Sequence, residues 1–303
     1  MFITVLSPAY NKGKTIRRLY ESLLCQTSCN FEWIVINDGS TDNTDDIVKE
    51  FDTTLFPIRY VNKGNEGLGA TFNLGVSMAK GDLLFRVDPD DFLKQDAIES
   101  IEQKWHLIEN RNDICALVFL SVYENEKLVG YHPFKEDTMS DFFEYREVFN
   151  AKGDRAEVVK TCVLKDNPYP VFLGERICIE GLMWATIADK YKAYYINRPI
   201  YYREYNEESI TAMGDRMYWR SPTGTAEGCI FKMNLMFKRR YFNMGQCYRI
   251  FKEGCVAFRW GLKSKNISVG YIFSHMPYFM PYICFLPGLL LHIKDIMNKP
   301  NNL

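Results

Sequence analysis

Apolar residues along the first hundred positions alternate between two spacings. The short runs "ITVLSPAY", "FEWIVIND", "IRYVN" and "DLLFRVD" have the length and continuity of buried strands. Between them, "KTIRRLYESLLCQ" places Ile16, Leu19, Tyr20 and Leu23 on one helical face. "STDNTDDIVKEF" opens with Ser40, Thr41 and an acidic first turn, the chemistry of a helix start, and the stretch around Ala70 to Ala79 reads as a third helix. Strand–helix alternation of this kind predicts an α/β fold. Right-handed crossovers give a mixed, mainly parallel sheet flanked by helices.

Beyond Asp96 the order loosens. "AIESIEQKWHLIE" reads as a helix, "ICALVFLSVYE" as a strand and "KLVGYH" as a return strand. A polar stretch over 132–155 precedes "EVVKTCVL" and the Pro-rich turn "DNPYPVFLGE". The helix "EGLMWATIADKY" and the strand "AYYINRPIYYRE" follow, and the chain after 215 reads as helical. Residues 269–291 carry no charge and hold six aromatic residues, flanked by Lys263, Lys265 and Lys294. Pro277, Pro281 and Pro287 argue against an ordinary spanning helix. The expectation is a segment lying at a membrane interface, and the alternative is an arm packed on the core or on a second copy of the chain.

The composition narrows the function classes. Of the 303 residues 47% are hydrophobic and 25% charged, enough apolar material for a buried core. A net charge of −1 lacks the basic excess of a nucleic-acid binder. Nine cysteines are scattered without paired metal-ligand spacing, and the chain opens on a strand, not on a secretory signal. Reduced thiols and a cytoplasmic location are expected.

In open α/β sheets ligands bind at the carboxyl ends of the strands. Three polar clusters fall there: "PAYN" (8–11), "NDGSTD" (37–42) and "DPDD" (88–91). Asp88, Asp90 and Asp91 are close enough to repel one another unless cations relieve them. Hard carboxylate oxygens without imidazole or thiolate select Mg2+ or Mn2+, with substrate phosphates and water completing the shell. "GNEGLG" (64–69) has the wrong order for a dinucleotide fingerprint, and no Gly-Lys-Ser/Thr marks a phosphate loop.

"VLSPAYN", "WIVINDGSTDNT", "NEGLGATFNLGVSMAKGDLLFRVDPDD" and a later acidic motif, in this order, resemble glycosyltransferase family 2, inverting enzymes of the GT-A fold. The likeness is firm over residues 2–95, weaker to about 205 and absent beyond. It implies transfer of a single sugar from a nucleotide-diphosphate donor, UDP-linked by preference, to a hydroxyl acceptor. The sugar would be a hexose or N-acetylhexosamine, and the acceptor a lipid-linked or growing surface polysaccharide. By the same resemblance Pro8, Tyr10 and Asn11 line the nucleotide pocket, and Asp38 accepts a hydrogen bond from uracil. Asp88 approaches the ribose and donor sugar, Asp90 binds the metal, and Asp91 supports both. The implied location is cytoplasmic, peripheral on the inner face of the cell membrane.

Three departures from the family pattern matter. Phe72 stands where many relatives carry Arg, which leaves Arg86 as the phosphate partner or as a counter-ion to Asp88. Gly181 stands where the family's catalytic Asp follows Glu, so Glu180 is the candidate base, with Glu175 second. The Gln-x-x-Arg-Trp signature of processive synthases is absent, and "DRMYWR" (215–220) is a faint echo of it. The expected organisation is a catalytic domain over 1–215, made of a donor half (1–105) and an acceptor half (106–215), then a helical region over 216–303. Two other readings stand beside this one. The first is a non-catalytic sugar-nucleotide-binding or scaffolding subunit, favoured by the altered Glu-Asp motif. The second is a sugar nucleotidyltransferase, disfavoured because "SPAYNKGKT" is poor in glycine.

Overall fold

The computed structural model describes residues 1–177, 179–204 and 216–298. The chain divides into two units, Met1–Pro168 with Lys190–Tyr205, and Tyr169–Asp189 with Asn206–Leu303. The expected boundary at 215 is therefore crossed by an earlier excursion, because residues 169–189 belong with the C-terminal helices.

The first unit begins with β1 (Ile3–Ala9), α1 (Ile16–Leu24), β2 (Phe31–Asp38), α2 (Thr44–Lys49), β3 (Ile58–Lys63), α3 (Leu68–Met78) and β4 (Leu83–Arg86). It continues with β5 (Phe92–Leu93), α4 (Ala97–Lys104), β6 (Ile114–Val122), β7 (Thr138–Ser140), β8 (Arg155–Lys160), α5 (Thr161–Asp166) and β9 (Lys192–Tyr202). The sheet order is β3-β2-β1-β4-β8-β6-β9-β5, with β7 on β9. β1 to β4 are parallel to one another, β8 runs antiparallel to both its neighbours, and β6 and β9 are again parallel.

The two-residue period of β1 separates two cores. Ile3 and Val5 join Trp33 and Val35 of β2 and Ile16, Leu19 and Leu23 of α1 in one buried cluster. On the opposite face Leu6 meets α3 so closely that a Cβ on Gly75 would lie 2.2 Å from its Cδ1. Tyr20 stacks on Phe51 at 4.1 Å, and Phe51 lies 5.7 Å from Trp33, which closes the first core.

Local chemistry moves two expected elements. The second helix starts at Thr44, not at Ser40, because Asp42 accepts from the amides of Gly13 (3.0 Å) and Thr44 (3.0 Å) and so holds the preceding turn open. The expected return strand over "KLVGYH" is reduced to the isolated bridges Val122–Leu128 and Tyr131–Lys152. Arg155 explains this, since its guanidinium donates to the carbonyls of Val129 (2.7 Å), Tyr131 (2.7 Å) and Lys152 (3.0 Å) and substitutes for a ladder. Gly130 (φ 72°) and Gly153 (φ 78°) let the two backbones approach there. β9 accommodates Pro199 opposite Leu120, where the register with β6 shifts.

The second unit is helical: α6 (Glu180–Ala188), α7 (Arg216–Arg220), α8 (Pro222–Lys238), α9 (Met244–Gly261), α10 (Val269–His275) and α11 (Met280–Met297). Asn243 and Gln246 form a reciprocal capping box on α9. The prolines of the uncharged segment act as expected for two of three. Pro277 lies between α10 and α11 and Pro281 sits in the first turn of α11, while Pro287 is carried inside that helix.

Candidate active site

Chain order places the site. β1 is flanked by β2 on one side and by β4 on the other, so the strand order reverses beside it and leaves a crevice at the carboxyl ends. The three polar clusters meet at this place, and hydrogen bonds tie their loops together. Ser7 donates to the Val87 carbonyl (2.7 Å) and accepts from the Trp33 indole (3.0 Å). Asn11, at φ 53°, donates its amide to Ser40 Oγ (2.9 Å) and accepts from the Thr41 amide (2.8 Å). Pro8 lies in β1 paired with Ile36, and Tyr10 is half exposed at the strand's mouth.

Asp38 ends β2 almost completely buried. Its Oδ1 accepts from Lys63 Nζ (2.6 Å) and the Glu66 amide (2.9 Å), and its Oδ2 from the Gly67 amide (2.8 Å). Burial pushes this carboxyl up, but Lys63 and the two amides outweigh that and hold it below its ordinary value. The side chain thus shapes the loop leading into α3. Gly39, at φ 71°, passes so close to that loop that a Cβ would lie 2.7 Å from the Asn65 amide nitrogen.

The three neighbouring aspartates have three environments. Asp88 takes a two-point contact from Arg86, Nε–Oδ1 2.8 Å and Nη2–Oδ2 3.2 Å, with Arg203 Nη1 at 3.9 Å. Asp90 is met by Lys12 Nζ at 2.5 Å. Asp91 turns inward, accepting from Tyr201 Oη (2.7 Å) and the Glu204 amide (2.8 Å), with Arg203 Nη1 at 3.6 Å. Burial pushes Asp88 up, but Arg86, Arg203 and Lys12 together hold it below the usual carboxylate value. Burial dominates at Asp91, helped by the charge of Asp88, and raises its carboxyl to about 7 despite Arg203.

Lys12, Tyr201 and Arg203 lie against these aspartates, and local sequence pattern did not single them out. Lys12 follows Asn11 directly, and Tyr201 with Arg203 closes the aromatic run "PIYYRE", so a polar residue ending a strand was the available signal. Tyr201 also accepts from the Asp88 amide (3.1 Å), which fixes the turn between Asp88 and Asp91. Arg86 takes the counter-ion position, and Phe72 is buried, so no cation comes from that point of α3. Among the described residues no group of three or more His, Cys, Asp or Glu could hold a metal ion. Asp88 and Asp90 are two hard-oxygen donors, which fits Mg2+ or Mn2+ only where phosphate and water supply the remaining ligands.

Glu180 and Glu175 lie in the second unit. Glu180 opens α6, and a Cβ on the adjacent Gly181 would meet nothing nearer than Lys232 Cε at 4.0 Å, so no steric demand excludes a side chain there. Glu175 accepts from Ser221 Oγ (2.9 Å) and from the amides of Thr223 (2.7 Å) and Gly224 (3.1 Å). Pro222 opens α8 without an N–H, and Glu175 satisfies the next two donors, the work of a helix cap.

The reversed strand order, the acidic strand end and the nested loops define a ligand crevice of the open α/β kind. The sequence profile of Glycosyl transferase family 2 matches residues 4–164, and the chain belongs to that family. It is 36% identical over 130 residues to glycosyltransferase GlyA of Streptococcus pneumoniae, covering 43% of this chain and 18% of the relative. It is 37% identical over 97 residues to chondroitin synthase of Pasteurella multocida, covering 32% and 10%. The chain thus spans well under half the length of these curated relatives. In fold it resembles residues 1–349 of S. aureus TarS solved with UDP-GlcNAc, with a TM-score of 0.64 and 15% identity over 100% of this chain and 93% of that one. It also resembles the mannosyltransferase PcManGT of Pyrobaculum calidifontis, solved with GDP-Man and Mn2+, with a TM-score of 0.55 and 14% identity over 98% and 88%. The fold is GT-A.

Proposed function

We propose that the protein is an inverting glycosyltransferase that moves one sugar from a UDP-sugar to a hydroxyl of a lipid-linked or growing surface polysaccharide. The observation that supports this best is the pairing of two part-exposed carboxylates, Asp88 and Asp90, with Arg86 and Lys12 where β1 and β4 end. The nucleotide lies against Pro8, Tyr10 and Asn11, with Asp38 as the partner of the uracil ring. Asp88 and Asp90 would hold Mg2+ or Mn2+, which when bound would neutralise charge developing on the departing diphosphate. Lys12 and Arg86 are the chain's own cations for the same diphosphate. Asp91, Tyr201 and Arg203 keep the aspartate turn in shape.

Inversion requires the acceptor oxygen to bond to the anomeric carbon while the bond to the diphosphate oxygen breaks on the opposite face. The acceptor's proton passes to Glu180, the candidate base at the start of α6. Glu175, engaged at the α8 terminus, is the weaker candidate. UDP-GlcNAc in the TarS complex makes N-acetylhexosamine the first donor to try. The acceptor places the enzyme at the cytoplasmic face of the membrane.

Calorimetric titration with UDP, with and without Mn2+, on wild type and Asp90→Ala tests the donor side. Metal-dependent binding that the variant loses is the expected result. Equal binding without metal, or an unaffected variant, would sink the assignment of Asp90. Turnover of UDP-sugars by Glu180→Gln then tests the base. Since Gly181 replaces the family's Asp, a second reading is a sugar-nucleotide-binding subunit without turnover. It predicts metal-dependent UDP binding with no transfer to any glycan acceptor.

A further inference from the structure

The second unit shows an apolar face to solvent that its own packing leaves uncovered. From the cap residue Phe279 along α11, Phe279, Tyr282, Leu286, Leu290, Ile293 and Met297 recur every three to four positions and are all exposed, Tyr282 by 76% and Met297 by 79%. The opposite face, Met280, Pro281, Cys284 and Gly288, is buried. α11 is the one helix among the described residues long and apolar enough to cross a membrane, yet only 22% of its apolar window is buried, unlike the core helix of a globular unit.

Charge separates the occupants of such a face. The described residues of the second unit, 169–177, 179–189 and 216–298, hold thirteen Lys and Arg against six Asp and Glu, in a chain whose totals are 37 and 38. The one carboxylate of α11, Asp295, is turned inward and bound at two points by Arg259 of α9, Nε–Oδ2 2.7 Å and Nη2–Oδ1 2.7 Å. The outer face therefore presents no acid, while Lys294 is exposed beside it. At the other end, Phe237 packs on both Phe242 (5.4 Å) and Tyr278 (5.6 Å), which extends the patch to the exposed Arg240 and Phe242. Aromatic rings at one end, aliphatic residues along the middle and cations at the edge match the headgroup boundary of an anionic bilayer.

We propose that the outer face of α11, with Tyr278 and Phe242, docks on an anionic lipid surface and lies in its plane. Spanning is opposed by the packing of α11 on α9. An added Cβ on Gly288 would lie 2.8 Å from the Cys255 carbonyl oxygen and 2.5 Å from Phe258 Cβ, and one on Gly254 2.5 Å from Cys284 Sγ, so the two helices pack closely at these glycines. Crossing the bilayer would strip that contact and drag the Arg259–Asp295 pair into hydrocarbon. The inference rests on the membrane-side location proposed above. Vesicle binding is read without donor or acceptor, so its failure and a failed transfer assay are distinguishable.

Flotation of the purified full chain with phosphatidylglycerol-containing vesicles, and with pure phosphatidylcholine vesicles, tests it. Binding to the anionic vesicles is expected to exceed binding to the neutral ones at least tenfold and to weaken with salt. Leu286→Glu with Leu290→Glu, both solvent-exposed in wild type, should abolish it while circular dichroism stays unchanged. Lys294→Glu with Arg240→Glu should lower it several-fold. Equal binding to both vesicle types, or none to either, would overturn the proposal. So would a light-scattering dimer that the double Leu variant dissociates, since a second copy would then be the occupant.

Discussion

At the strand ends of the first unit, charge is abundant and met on the spot; on the outer face of α11 apolar surface is abundant and covered by none of the described residues. Asp38, Asp88, Asp90 and Asp91 each touch a lysine, an arginine or backbone amides. The α11 stripe has its single acid tucked under it and its hydrophobes in water. The contrast separates two ways in which a fold can leave a surface ready for a partner. A site for a charged small molecule has to be preorganised, because loose carboxylates would repel one another and collapse the loops. A surface for an extended apolar partner needs only periodicity and a rim, because burial itself supplies the driving force.

The comparison breaks most visibly at Asp90. Asp90→Ala should cut sugar transfer by about a thousandfold, the several kcal/mol that charge stabilisation at a leaving diphosphate supplies. Its melting transition should barely move, since the Lys12–Asp90 pair is part-exposed and worth about 1 kcal/mol or less. A large loss of stability with activity retained would make that pair structural. Asp38→Ala differs in costing stability as well as the uracil contact proposed above. It leaves Lys63 and two amides without their carboxylate at a buried position, so denaturant unfolding should show a loss of about 3 kcal/mol.

Asp91 sharpens the comparison through pH. Its carboxyl titrates near 7 in the fold against 3.8 ordinarily, so the unfolded chain releases this proton first as pH rises. The stability this group contributes is full below about pH 4 and is lost as pH climbs through 7, at a slope of up to about 1.4 kcal/mol per pH unit. Asp91→Asn should remove that slope, and denaturation curves at pH 5, 6 and 7 that run parallel in both proteins would refute it. The smallest effect is expected at Gly181. Because the position is open, Gly181→Asp in the first turn of α6 should fold as well as wild type or gain about 0.5–1 kcal/mol from helix propensity and the helix dipole. Raised turnover in that variant would identify position 181, and not Glu180, as the better place for the base.

Much of this was readable from residue order. Ile16, Leu19, Tyr20 and Leu23 form the buried face of α1 as their spacing requires, and the runs before Ala9, Asp38 and Arg86 are strands. Alternating periods set the βαβ frame, and that frame brings "PAYN", "NDGSTD" and "DPDD" to one edge, because parallel strands end on the same side. The uncharged run over 269–291 was legible for the same local reason, since a stretch without charge is visible in any window. Its division at Pro277 into two helices follows from a residue that cannot continue a helix.

What tertiary structure alone decided are pairings across long separations. Tyr201 and Arg203 reach Asp91 and Asp88 because β5, directly after the aspartate turn, pairs antiparallel with the end of β9, Phe92 with Tyr202 and Leu93 with Tyr201, a choice no local pattern encodes. Lys12 meets Asp90 only once β1 and β4 are neighbours. Residues 169–189 join the helical unit because Glu175 caps α8 and Asp189 binds Lys238 (2.7 Å), contacts that depend on what the later helices present. Periodicity reports which side of an element is buried. Which partner buries it, and which cation answers each carboxylate, is settled by the packed chain, where desolvation makes every unpaired charge costly.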